Sequence, residues 1–277
     1  MYPRLANWFQ HWFRMRESEV SYRCTLDNVL HCTVQKCASQ WIRQILSDSR
    51  TFQYCGLLAH QYQCGLPGGF DPRKLTERTF AQPFPTATIV TPIYIDFAGY
   101  QSIPKPASYR TFFVMRDPRD VVVSWYFSAK YSHVAHGDLV GIRHDLSRWP
   151  EVDGMRWVID HLKSYGLFQA QRSWADAPSK DPNVMLIRFE DLVGGDQAAW
   201  FDRLFGHLDI RIPSEVQREM LQDHSFEMLS GRARGHEDAH AHYRKGVAGD
   251  WQRHFDDRVL AHFSQAAGVV LELWKYS

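Results

Sequence analysis

A chain of 277 residues, 44% hydrophobic and 23% charged, is long and apolar enough for one large core or two small ones, and its composition excludes a disordered chain. With 32 Lys and Arg against 31 Asp and Glu, the net charge of +1 argues against a nucleic-acid or membrane coat and leaves room for a local basic site only. No apolar run approaches the roughly 18–20 residues of a spanning helix, no signal-peptide core opens the chain, and five early cysteines without CxxC spacing (Cys24, Cys32, Cys37, Cys55, Cys64) suggest neither a disulfide framework nor structural zinc, so a reducing cytoplasm is expected.

Residues 1–16 place Tyr2, Leu5, Trp8, Phe9, Trp12 and Phe13 at helical spacing, with Arg4, His11, Arg14 and Arg16 on the other face. This amphipathic helix is expected to dock on the core or at an oligomer contact, a homodimer being one possibility; a membrane-surface anchor is the other reading. Residues 29–34 read as a strand that passes through residues 35–39 into a helix with Trp41, Ile42, Ile45 and Leu46 on one face. Further strands are expected at 88–95, at 111–115, where the run is apolar enough for a parallel strand buried on both faces, and at 184–188. Asp117 is a good N-cap and Pro118 suits the first turn of a helix whose stripe is Val121, Val122, Trp125 and Tyr126. Helices follow at about 197–208, 214–222 and 256–274, whereas 128–152 and the Gly-, His- and charge-rich 231–249 read as loops, the latter mobile. Alternating strands and helices predict an α/β fold with one doubly wound parallel sheet and binding loops at the strand C-termini.

Three segments carry chemistry. The first is Lys36-Cys-Ala-Ser-Gln-Trp41 between strand and helix. A helix N-terminus offers free N–H groups to a phosphate; Lys36 adds a full charge, and Ser39 and Gln40 add side-chain donors. An ordinary turn with an exposed lysine is the plain alternative. It is no Walker P-loop, because no glycine occurs between His31 and Arg50. The second is residues 116–124, where Arg116 ends the third strand and Ser124 lies two helical turns on; Arg119 and Asp120 read as surface or packing groups. The third is residues 243–251. Arg244, Lys245 and Gly246 form a compact anion clamp, and Gly249, Asp250 and Trp251 form a turn that pins it.

In this order and separation the three segments resemble the cytosolic-type sulfotransferases that use 3′-phosphoadenosine 5′-phosphosulfate (PAPS), whose loops read like PKSGTTW, RNPKDVxVSxYH and RKGxxGDW. Residues 189–192 (FEDL) and 225–226 (SF) are similar to two further family segments. The resemblance covers roughly residues 28–260 and implies a P-loop-like, three-layer fold, with a central parallel sheet flanked by helices, as one sulfotransferase domain over residues 1–277. It implies that Lys36 bridges the 5′-phosphate and the sulfonate, and that Ala38, Ser39, Gln40 and Trp41 hold the 5′-phosphate. Trp41 and Phe226 would sandwich the adenine, and Arg116, Ser124, Arg244, Lys245 and Gly246 would hold the 3′-phosphate.

The sequence departs from the family at four places. Cys37 and Ala38 replace Ser-Gly, so Ala38 needs either a negative φ or tolerated strain. Phe189 stands where a Tyr usually hydrogen-bonds the adenine, and the stretch 89–96 holds no histidine where the family has its catalytic one. The candidate bases are His60 first, then Tyr94, Asp96, His133 and His136. Cys37 lies at a helix N-terminus, where a thiol pKa would fall, but its family counterpart is not a nucleophile. His236, Glu237, Asp238, His240 and His242 resemble metal ligands, but no metal is expected because the protein supplies the cations. The expected reaction moves a sulfonate from PAPS to a hydroxyl or amine of a small molecule and releases adenosine 3′,5′-bisphosphate. A nucleotide kinase of related fold and a non-catalytic nucleotide-binding protein are the alternatives.

Overall fold

The computed structural model describes residues 20–133 and 139–276; the helix expected at 1–16 lies outside them. Five parallel strands form one sheet: β1 (Asn28–Thr33), β2 (Leu58–His60), β3 (Thr88–Tyr94), β4 (Tyr109–Met115) and β5 (Val184–Arg188), in the order β2-β3-β1-β4-β5. The run FFVM is buried throughout, as its lack of a polar face requires.

Alternate residues feed two separate cores. Val29, Phe112 and Val114 join Ile42, Ile45, Phe201 and Leu204 on one face. Leu30, Phe113 and Met115 join Tyr126, Val158, Trp174 and Phe263 on the other. Helices Ser39–Leu46 and Gln197–His207 therefore cover one face, and helices Pro118–Phe127, Glu151–Ser164 and Asp257–Trp274 cover the other, which gives three layers.

The sheet order sets the site. After β1 the chain runs out to β2 and returns through β3 to β1's flank; it then crosses to β4 on β1's other side. The turns after β1 and β4 are neighbours at the strand C-termini, because Thr33 lies beside Val114. A crevice at such a switch of direction is where α/β sheets bind ligands.

The expected strands and late helices are present within two residues of their expected ends, and Asp117 caps its helix by accepting from Arg119 N at 2.8 Å. Residues 128–152 are a correction. They hold a π-turn at Ser128–Ser132, the helix Leu139–Arg148 and the start of Glu151–Ser164. The helix Leu139–Arg148 buries only Leu146, so no apolar stripe announced it. The stripe Met155, Val158, Ile159 and Leu162 lies beyond that window. Among the described residues no helix is long and apolar enough to cross a membrane.

Candidate functional site

The turn after β1 is wound tightly. Lys36 and Ala38 both take positive φ, 66° and 60°. A left-handed L-residue costs about 1–2 kcal/mol, so Ala38 takes the strained alternative rather than a negative φ. Alternating left-handed backbone turns successive N–H groups inward as an anion nest. Ala38 caps the eight-residue helix Ser39–Leu46 without a side-chain hydrogen bond, and no acidic residue occupies the first turn. Lys36 Nζ donates to Ser128 Oγ at 2.6 Å. Burial, and next the Arg116 charge, push its pKa down to about 8. The Ser39 and Tyr94 hydroxyls share a 2.8 Å hydrogen bond, and Gln40 Nε2 donates to Tyr94 Oη at 3.3 Å.

Arg116, at the end of β4, bridges the other two segments: it donates to the carbonyls of Lys36 and Val247, each at 3.3 Å. Its guanidinium lies 4.5 Å from the Phe189 ring centroid and 3.5 Å from Asp120, and its buried Nε has no acceptor among the described residues.

The late clamp docks on this base. Asp120 accepts from Gly249 N at 2.8 Å and Trp251 N at 2.9 Å, and the Arg119 guanidinium lies 3.7 Å over the Trp251 ring. Arg119 and Asp120 are thus buried docking groups rather than surface ones. Arg244 and Lys245 both donate to the buried carboxylate of Asp250. Burial would raise that carboxyl, but His254, Lys245 and Arg244 outweigh it and hold it well below the usual carboxylate range. Gly246 has φ 70° and faces the Phe226 ring so closely that a Cβ there would meet it at 2.4 Å. Trp41 Nε1 donates to the His224 carbonyl at 2.7 Å, which ties the first loop to the segment leading into Phe226.

All eleven residues expected to bind the nucleotide (Lys36, Ala38, Ser39, Gln40, Trp41, Arg116, Ser124, Phe226, Arg244, Lys245 and Gly246) line one cavity of about 310 Å³. That volume is within the range of small-molecule sites. Among the described residues the lining holds five Lys and Arg (Lys36, Arg116, Arg234, Arg244, Lys245) and no Asp or Glu. Arg234 Nε, like Arg116 Nε, is buried with no acceptor among the described residues. Such a lining suits a polyanion, and the aromatic faces of Trp41, Phe189 and Phe226 suit a flat ring.

Tyr94 and His133 line this cavity; His60 and Asp96 do not. His60 belongs to the edge strand β2, two strands from β1, and its ring is 6.3 Å from Phe84. Asp96 is consumed as an N-cap, accepting from Gly99 N at 2.8 Å. His136 lies outside the described residues. The Cys37 thiol is fully buried, and that desolvation overrides the helix N-terminus and pushes its pKa up to about 12. The suspected metal ligands are dispersed: Glu237 pairs with Arg244, and His240 packs on Tyr131. Among the described residues no group of three His, Cys, Asp or Glu could hold a metal ion. Sequence reasoning missed Arg234 and read His242 only as resembling a metal ligand; Arg234's one signal was membership of the irregular segment that ends in the clamp.

A family model described as a sulfotransferase domain matches residues 26–275. The chain is 24% identical over 159 residues to a 3-beta-hydroxysteroid sulfotransferase of Cavia porcellus, a match over 53% of this chain and 50% of that protein. The chain thus spans about half the length of that curated relative. Mouse sulfotransferase SULT7A1 complexed with PAP superposes with a TM-score of 0.55 at 15% identity, over 95% of this chain and 92% of that one. Retinol dehydratase in a complex with retinol and PAP gives 0.57 at 15% identity, over 94% and 86%. At such identities the two structures are likenesses of fold.

Proposed function

Because the chain belongs to the sulfotransferase domain family, we propose that it transfers a sulfonate group from PAPS to a hydroxyl or amine of a small-molecule acceptor and releases adenosine 3′,5′-bisphosphate. One observation carries the reading: the first loop, the end of β4 and the late clamp meet in a cavity whose described lining holds five cations and no carboxylate. The co-substrate supplies an activated sulfonate and several negative charges; the chain supplies what holds and neutralises them.

Ala38, Ser39, Gln40 and Trp41 bind the 5′-phosphate through the helix N-terminus and the side chains of Ser39 and Gln40. Trp41 and Phe226 flank the adenine. Arg116, Ser124, Arg244, Lys245 and Gly246 take the 3′-phosphate, for which Arg116 Nε is a donor in reserve. Lys36 is the catalytic cation. Charge grows on the leaving phosphate oxygen during transfer, and a preorganised donor there is worth about 10²–10³ in rate. The Lys36–Ser128 hydrogen bond holds the ammonium in place beforehand. The reducing cytoplasm expected from the cysteines goes with this reading, and all five are free thiols.

The test is turnover of labelled PAPS with a library of alcohols, phenols and amines. The expected result is transfer to at least one acceptor, with Lys36→Ala lowering turnover by about 10²-fold or more while bisphosphate binding weakens far less. Phosphoryl transfer from ATP without use of PAPS would identify a kinase instead, and bisphosphate binding without turnover would identify a binding protein.

A further inference from the structure

Sulfonate transfer to a hydroxyl needs a group to take its proton, and the cavity narrows the choice. His60 is on the sheet edge, Asp96 is spent on a helix cap, and Tyr94 is engaged by Ser39 and Gln40. Among the described residues two imidazoles remain in the lining, His133 and His242.

His242 sits two residues before Arg244, in the segment that closes over the first loop. Its ring meets Tyr243 edge-on at 5.1 Å, and Tyr243 Oη donates to Gln44 Oε1 of the Ser39–Leu46 helix at 3.2 Å. The charged and titratable groups that act on it are Lys36 and Arg43 from the first loop and its helix, and His133 from the segment after the π-turn. No carboxylate of the described residues is among them. Its ring nitrogens make no hydrogen bond to any described side chain or backbone group, unlike those of His31, His207, His224, His254 and His262. An exposed imidazole in the cavity lining, under the charge of Lys36 and with neither nitrogen bonded to a described group, is equipped to accept a proton.

Resting on the sulfotransfer reading, we propose that His242 is the general base, taking the proton from the acceptor hydroxyl. A ring nitrogen of His242 takes the proton while the acceptor oxygen bonds to sulfur. The bond from sulfur to the 5′-phosphate oxygen breaks, and its electron pair leaves on the bisphosphate, whose charge Lys36 meets. Burial first, then the charges of Lys36, His133 and Arg43, lowers the pKa of His242, so the ring is neutral and ready to accept at physiological pH.

Two measurements test this. The first compares wild type and His242→Gln with labelled PAPS and two probes, 2-naphthol and 4-nitrophenol. A base matters less for the more acidic nitrophenol. The expected loss in kcat is about 10²-fold or more for naphthol and about tenfold or less for nitrophenol, and the acid limb of the wild-type kcat/KM profile disappears. Bisphosphate affinity stays within about threefold. The second follows the His242 imidazole by NMR, with the variant spectrum as its assignment. Its pKa lies below the ordinary histidine value and rises when adenosine 3′,5′-bisphosphate is added.

Equal losses for both phenols, unchanged kinetics, a large loss of bisphosphate affinity at constant kcat, or an acid limb that survives in His242→Gln and vanishes in His133→Gln would each overturn the inference. So would an imidazole indifferent to bisphosphate. Wild-type protein inert toward PAPS with every acceptor would instead overturn the sulfotransfer reading beneath it.

Discussion

Gly246 has two independent reasons to lack a side chain: a φ of 70° and a Phe226 ring that a Cβ would meet at 2.4 Å. Backbone strain and the clash both push the clamp off its neighbour, so Gly246→Ala should weaken adenosine 3′,5′-bisphosphate binding at least about tenfold by calorimetry, or about 1.4 kcal/mol. An unchanged dissociation constant would detach the clamp from the nucleotide. Lys36 makes a second prediction. With its pKa lowered to about 8, it is charged below that pH and neutral above it. The free-enzyme parameter kcat/KM for PAPS should therefore fall as pH rises through about 8, and Lys36→Arg should show no such fall there. An alkaline limb that persists in the arginine variant would place the titration elsewhere. Single residues were also where the sequence misled. The burial that silences Cys37 and the capping duty that removes Asp96 are three-dimensional facts, invisible in residue type and spacing.

Strands and capped helices were legible because their signals are local: the apolar run of β4, the Asp117-Pro118 start and the apolar face of Asp257–Trp274. The edge strand β2 has three residues, and the helix Leu139–Arg148 buries one side chain, so neither left a pattern to read. The central strand β1 carries one unusual passenger. His31 is fully buried, stacked on Phe112 at 4.6 Å, with Nδ1 against Thr91 Oγ1 at 2.8 Å. Burial pushes its pKa down to about 3. The unfolded chain titrates its histidine near its ordinary value of about 6.5, so between there and about 3 the unfolded state holds the extra proton. Stability is therefore lost as pH falls through that window. Urea midpoints of wild type should drop between neutral and mildly acid pH by more than those of His31→Gln; equal drops would show that His31 does not carry this dependence.

At the scale of the whole molecule, a net charge of +1 coexists with a cavity whose lining, among the described residues, holds five cations and no carboxylate. The counter-charges sit behind the lining: Asp250 against Arg244 and Lys245, and Asp120 beside Arg116. The convergence of residues 36–41, 116–124 and 244–246 was legible as a resemblance, since each segment matches a phosphate-binding motif. The sheet order that brings them together, and the placing of His242 and Arg234 in the same cavity, became visible only in the fold. The most direct test is calorimetric titration of the whole protein with adenosine 3′,5′-bisphosphate, adenosine 5′-monophosphate and magnesium ATP. The proposed placement of these cations at both ends of one nucleotide predicts that the bisphosphate binds at least about tenfold more tightly than either of the others. Equal affinity for the monophosphate, or a preference for magnesium ATP, would contradict it.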